Sequence, residues 1–285
     1  MKKSFWIVWI VLFLGLCSCK KNNSNEIILS FDEAYYQPLN GPLDQTFKEK
    51  LHTLLEQTHT HQGTYAEVWE ILKKADADSN QTDHIVCLYT GQSIPIANQD
   101  QGLSGNYLWN REHLWPKAKG FKSEKMPAHN DCHHLHASEK NINQARSNLD
   151  FGNVSDPSQS DAFGNRWNQL YFEPRDEVKG DIARSLFYMV VRYDGDSCDR
   201  CELDLELVDG VTDTSMITSG EVGRLGDLST LIRWHYEDPV DDAERRRNEV
   251  VFSYQKNRNP FIDHEEFVAY LYPTLAAPYL SDTIR

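Results

Sequence analysis

Cysteine is scarce in this chain, with six in 285 residues, and two of them, Cys17 and Cys19, fall inside an N-terminal apolar segment. Cys87 and Cys132 stand singly and are expected to be buried small hydrophobes. That leaves one Cys-x-x-Cys, Cys198 to Cys201. One such pair cannot supply the four ligands of a structural zinc site. In an exported chain it predicts a local disulfide, and it lacks the strand–helix context of a thioredoxin-like redox motif. Internal repeats and low-complexity tracts are absent, which excludes a solenoid and gives no reason to divide the chain by a long linker. Positive charge is in deficit: 29 Lys and Arg stand against 43 Asp and Glu, a net charge of −14. Long-range attraction of a polyanion is therefore weak, and any grip on nucleic acid must be local.

What is present begins with a targeting segment over residues 1–19. Lys2 and Lys3 form its positive end and Phe5 to Leu16 its apolar stretch, too short for a membrane span. It closes on Leu16-Cys17-Ser18-Cys19, which resembles a lipobox with Cys19 as the lipidated residue. A polar tether and N-terminal arm are expected over residues 20–41, and a single catalytic domain over 42–285. Amphipathic spacing predicts helices over 43–57, 65–75, 176–192, 224–236, 241–254 and 263–272. The β-branched and aromatic run 84–89 predicts a strand. Residues 92–106 and 153–168, rich in Gly, Asn and Ser, predict loops. The fold class is α+β and mainly helical.

The densest polar chemistry lies between Asn110 and Asn148. Tyr107-Leu108-Trp109 leads into Glu112 and His113, and Pro116 follows, the pattern of a short strand with a forced end. Neighbours on a strand point to opposite faces, so only a strand end, a bulge or a turn lets Glu112 and His113 reach one site. Asp131 to His136 is the second strand candidate. Ser138 occupies a helix N-cap position before a helix over 139–146. On that helix Glu139, Asn143 and Arg146 share a face, and Asn141 points elsewhere.

These residues carry a resemblance. Asn-Arg-Glu-His-x-Trp-Pro at 110–116, Asp-x-His-His-Leu at 131–135 and Ile-Asn-x-x-Arg-Ser-Asn at 142–148 look like the bacterial endonuclease I family, secreted or periplasmic nucleases with a ββα-metal (His-Me finger) core. The likeness continues through Gly180-Asp181-Ile182-Ala183-Arg184, Arg192-Tyr193-Asp194-Gly195 and Gln255 to Phe261. It implies that Glu112 and Asn143 bind one divalent ion, Mg²⁺ or else Mn²⁺ or Ca²⁺, and that His113 is the general base activating water. Asp131 and His134 would then support the site from behind. Arg146 would hold a phosphate or buttress Glu112.

Such a residue set suits phosphodiester hydrolysis. A hard cation takes few oxygen ligands and keeps several waters, and a neutral His can take a proton from water near neutral pH. Charge is distributed accordingly. Residues 110–148 carry seven Lys and Arg against four Asp and Glu, and Arg111, Lys117 and Lys140 are the expected contacts to substrate. The expected protein is an exported, metal-dependent endonuclease of low sequence specificity acting on DNA or RNA. It would reach a membrane only through the lipid on Cys19, facing the periplasm or cell surface, or else be secreted. No protein partner is implied. Two other readings stand beside it: a catalytically inactive nucleic-acid- or phosphate-binding lipoprotein, and a zinc metallohydrolase built on the cluster His129, His133, His134 and His136.

Overall fold

The computed structural model describes residues 20–21, 26–102, 107–195, 203–210 and 223–280. The targeting segment, Cys19 and the Cys198–Cys201 pair lie outside the described residues. By compactness the chain divides into units 1–50 and 51–285. In the first unit, Ile27–Leu29 pairs antiparallel with Lys20–Lys21 on one side and Gly41–Pro42 on the other. The Asn40 amide closes the intervening turn by accepting from the Phe31 N–H at 2.6 Å. The arm expected here is thus a small sheet.

The helices are α1 (Phe47–Thr58), α2 (Tyr65–Ala75), α3 (Lys140–Arg146), α4 (Lys179–Arg192), α5 (Leu228–Glu237) and α6 (Asp242–Gln255), followed by short turns Pro260–Asp263, Phe267–Leu271 and Pro273–Ala276. Helix α2 starts at a capping box: Thr64 accepts from the Glu67 N–H and Glu67 reaches back to the Thr64 N–H, satisfying two otherwise orphaned donors. Strands are short and gathered in separate small sheets, so the architecture is α+β.

One hairpin organises the larger unit. Trp109–His113 pairs antiparallel with Leu135–Glu139, in a register that sets Glu112 opposite His136 and His113 opposite Leu135. Its inner residues Trp109, Leu135 and Ala137 are buried with Val68, Ile71 and Leu72 of α2 and Val251 of α6. The second strand and the helix both begin later than their sequence pattern suggests. Asp131 to His134 is a turn, and the strand runs 135–139. The N-cap of α3 is Glu139 rather than Ser138: its carboxylate accepts from the N–H groups of Asn141 and Ile142 at 3.0 and 3.1 Å. The expected loop at 153–168 contains two further two-residue strands, Gln159–Ser160 and Arg166–Trp167, in a four-stranded sheet.

Helix α4 is buried along most of its length. Its Arg184 donates to both carboxylate oxygens of Glu244 on α6, at 2.8 and 2.5 Å, and to the Asp238 carbonyl at 2.8 Å. Gly180 is required there, because a Cβ would stand 2.0 Å from the Asp238 carbonyl oxygen. The downstream motifs that extend the family likeness therefore lock α4 against α6.

Candidate active site

The hairpin and α3 bring Glu112, Asn143 and Arg146 together. Arg146 is buried, and its guanidinium donates to Glu112 Oε1 at 3.0 Å and to the carbonyls of His113 and Leu114 at 2.8 and 2.5 Å. The guanidinium is turned to Glu112 and to the backbone that follows it, with both terminal nitrogens engaged there. Tyr89, which carries no signal in the sequence pattern, donates its hydroxyl to the same Glu112 oxygen at 2.7 Å. Burial raises the Glu112 carboxyl above its usual range, against the opposing pull of Arg146 and Tyr89. Its Oε2 takes part in neither bond. Asn143, one turn before Arg146, donates its amide nitrogen to Asn110 Oδ1 at 2.7 Å and approaches the Arg111 carbonyl at 3.5 Å. Its Oδ1 is thereby the end of the amide left to accept or to ligate. Asn141 is exposed and bonds only back to Glu139.

His113 is the last residue of its strand. Its Nε2 bonds the His129 carbonyl at 2.9 Å. Donation to a carbonyl requires the proton on Nε2, which leaves the lone pair on Nδ1. Burial, with smaller contributions from neighbouring imidazoles and Lys117, pushes its pKa well below the ordinary value. The imidazole is therefore neutral at neutral pH. Tyr65 packs against this ring at 5.7 Å between centroids and edge-on against His129 at 4.6 Å.

The remaining sequence-predicted residues fall into three groups. His134 lies beside His113, with ring centroids 5.5 Å apart, and its Nε2 bonds the Ala128 carbonyl at 2.8 Å. It supports the turn that also holds His113. Asp131 sits apart from Glu112 and Asn143 as a buried hub. It accepts from the His133 N–H, the Gln255 amide and the hydroxyls of Tyr188 and Tyr193, at 3.0, 2.9, 2.7 and 2.9 Å. Burial alone would raise its pKa, but His59, His133 and these hydrogen bonds outweigh it and hold the carboxyl below the usual range.

The third group is the expected substrate contacts. The Arg111 guanidinium lies 3.2 Å from the centroid of Tyr65 and 4.2 Å from that of Trp69, and donates to the Tyr65 carbonyl. Lys140 is paired with Asp100 at 3.1 Å. Lys119, counted in the positive segment, is buried against Asp150. Lys117 is exposed, its ammonium 5.9 Å from the Tyr65 ring. The positive segment thus spends much of its charge internally.

The histidines of the expected zinc cluster each have their own neighbours. His129 bonds Asn130, His133 bonds the Asn257 carbonyl and His134 bonds the Ala128 carbonyl, while His136 stands on the strand opposite Glu112. Among the described residues no group of three or more His, Cys, Asp or Glu is placed to hold a metal ion. A sparse oxygen site is a different matter, because Glu112 Oε2 and Asn143 Oδ1 fit a hard cation that keeps most of its waters.

A family model described as Endonuclease I matches residues 44–266. The chain belongs to the endonuclease I family. It is similar to an extracellular ribonuclease of Bacillus subtilis (strain 168), 40% identical over 245 residues, which is 85% of this chain and 79% of that protein. It is likewise 40% identical over 236 residues, 82% of this chain and 76% of the relative, to an extracellular ribonuclease of Bacillus amyloliquefaciens. As an endonuclease I family member it is an enzyme that hydrolyses nucleic acid. Within the matched residues, α4 and the end of α6 hold the turn between the two hairpin strands.

Proposed function

We propose that this chain is a metal-dependent endonuclease of low sequence specificity, with RNA among its substrates, in which His113 activates the attacking water. The observation that carries this reading is the His113 imidazole. It is neutral, its Nε2 is fixed on the His129 carbonyl, and it stands at the strand end next to a buried carboxylate. A water positioned at Nδ1 would lose its proton to His113 as its oxygen bonds to phosphorus. The P–O bond to the leaving nucleoside oxygen breaks, and that oxygen gains a proton from solvent. Glu112 Oε2 and Asn143 Oδ1 would hold one Mg²⁺ or Mn²⁺, which when bound neutralises charge developing on the phosphate. Arg146 and Tyr89 keep Glu112 in position for that ion. The ββα-metal description of the hairpin and α3 rests on this reading.

Low specificity fits contacts made to phosphates rather than base edges, and Lys117 is an exposed cation whose charge acts on His113. The named activity of the Bacillus relatives supports RNA as a substrate and export as the destination. The lipid anchor is carried by the sequence around Cys19 alone. Its test is incorporation of labelled palmitate, which Cys19→Ser should abolish; a labelled Cys19→Ser protein would sink the anchor. The reaction is tested with single-stranded RNA, duplex DNA and plasmid. Cleavage should vanish in chelator and return with added Mg²⁺ or Mn²⁺. Undiminished cleavage in excess chelator would refute the metal.

A further inference from the structure

Four arginines of the larger unit are buried: Arg146, Arg184, Arg192 and Arg247. Three are paired with carboxylates, Arg146 with Glu112, Arg184 with Glu244 and Arg247 with Asp76. Arg192, at the C-terminal end of α4, forms no ion pair among the described residues. It is only 5% exposed. Its Nε donates weakly to His59 Nδ1 at 3.4 Å and its guanidinium lies 4.8 Å from the Tyr193 ring. The two terminal nitrogens bond nothing among the described residues, yet they are not sealed from solvent. The charges of Asp131 and Glu56 reach the guanidinium without a direct pair, so its removal from water is only partly offset. Arg192 lines a cleft of about 490 Å³, together with Lys125, Ser123, Gln62 and Glu56.

We propose that this cleft is a second phosphate-binding site, in which Arg192 takes a phosphate group by its two terminal nitrogens and Lys125, Ser123 and Gln62 supply further donors. A planar guanidinium fork matches two phosphate oxygens. Ser123 Oγ already accepts from the Lys125 N–H at 3.3 Å, which leaves its hydroxyl proton to donate. Glu56 is the one carboxylate among the described lining residues. It disfavours a doubly charged group, so the cleft takes a singly charged phosphate, whether a phosphodiester or the monoanion of inorganic phosphate. The cleft also shares a wall with the active site. Met126, Pro127 and Ala128 line it, and the carbonyls of Ala128 and His129 hold His134 and His113. A strand cut at His113 could therefore seat another of its phosphates here. The proposal rests on the nuclease reading only for the source of the phosphate.

The test has a binding arm and a kinetic arm. With chelator present, inorganic phosphate should raise the melting temperature of the wild-type protein saturably, and Arg192→Gln and Lys125→Glu should lose that rise. Lys125 is exposed, so its variant stands even if Arg192→Gln fails to fold. Lys122→Glu, exposed and outside the cleft lining, controls for general charge. In the kinetic arm, Lys125→Glu should raise KM for a dodecanucleotide RNA by roughly tenfold, the scale of one lost charge-assisted bond. Its kcat should not change, and neither should its KM for a trinucleotide. That split assigns the phosphate to the strand being cut. Loss of the phosphate-induced rise with no change in KM assigns it to a free phosphate instead. The proposal is overturned if Lys125→Glu keeps the phosphate-induced rise and shows no KM split, or if Lys122→Glu reproduces every effect of Lys125→Glu. Should no protein cut any RNA, the nuclease reading fails, and the phosphate titration still decides the site.

Discussion

Glu112 is held between Tyr89 and Arg146 in a buried setting, and this makes two neighbouring substitutions diverge. Arg146→Ala removes the guanidinium from two carbonyls and from the buried Glu112 carboxylate, which keeps the Tyr89 hydroxyl but loses its ion-pair partner. Removing one member of a buried pair typically costs about 3–5 kcal/mol, so urea denaturation should show a loss of that order. His113→Ala removes a ring whose proposed work is on water. It should lower kcat by about 10²–10⁴-fold with a melting temperature close to wild type. If Arg146→Ala were as stable as wild type and merely bound RNA less tightly, Arg146 would be a phosphate ligand after all. The sequence could place Arg146 on the Asn143 face, because helical spacing fixes direction. It could not fix depth, and depth separates a phosphate contact from a buttress. Tyr89 was illegible for a related reason: its hydroxyl reaches Glu112 across 23 positions of chain, from a stretch whose pattern announces only a strand.

At the scale of the element, α3 depends on its register. Its N-cap is Glu139, which turns Asn143 toward the first hairpin strand and Asn141 to solvent. Asn143→Ala should raise the Mg²⁺ or Mn²⁺ concentration for half-maximal cleavage by at least about tenfold, the minimum effect of losing even an outer partner of a metal ligand. Asn141→Ala should leave it unchanged. A metal titration in which Asn141→Ala is the damaged variant would mean that the register is wrong. The existence of the hairpin and helix was readable, since an aromatic run, a Pro stop and a capping residue all mark local structure. Their boundaries were not. The stretch Asp131 to His136 is polar throughout, so no apolar alternation separates turn from strand. Strands of two residues, such as Arg166–Trp167, are too short to show a period at all.

At the scale of the molecule, buried histidines tie stability to pH. Burial brings His133 and His134 down to about 4 and His235 to about 3, while the unfolded chain titrates near 6.5. The folded state therefore binds fewer protons than the unfolded one between these values, and stability falls as pH drops from about 6.5 toward 4. Asp131, held below the usual carboxylate range, extends the loss to lower pH. Unfolding at pH 5 should take up at least about two protons, measurable as the slope of stability against pH. A flat profile between pH 7 and 5 would contradict the burial of these rings. The net charge of −14 had little to say here, because it counts charges without their partners. Lys119 and Lys140 add to the positive segment in the sequence, yet each is matched to a carboxylate in the fold. The family motifs beyond residue 176 were readable as a likeness, and only the packing of α4 on α6 gives them a task.

The groups proposed for the cleavage step lie between Glu112 and Arg146, but the turn that carries Asp131 is bolted from far along the chain. Gln255 at the end of α6 donates to Asp131 and accepts from the Cys132 N–H at 2.5 Å, and Asn257 accepts from His133 through its carbonyl while its amide donates to Tyr188 at 2.6 Å. The catalytic stretch is therefore not a portable module. A piece ending before α4 would hold all the reactive side chains without the clamp that orders them, and the remainder would hold the clamp with nothing to hold. Each half would be inert by itself, so a single nick between them could silence the enzyme, and reassociation of the halves would be the only way to restore it.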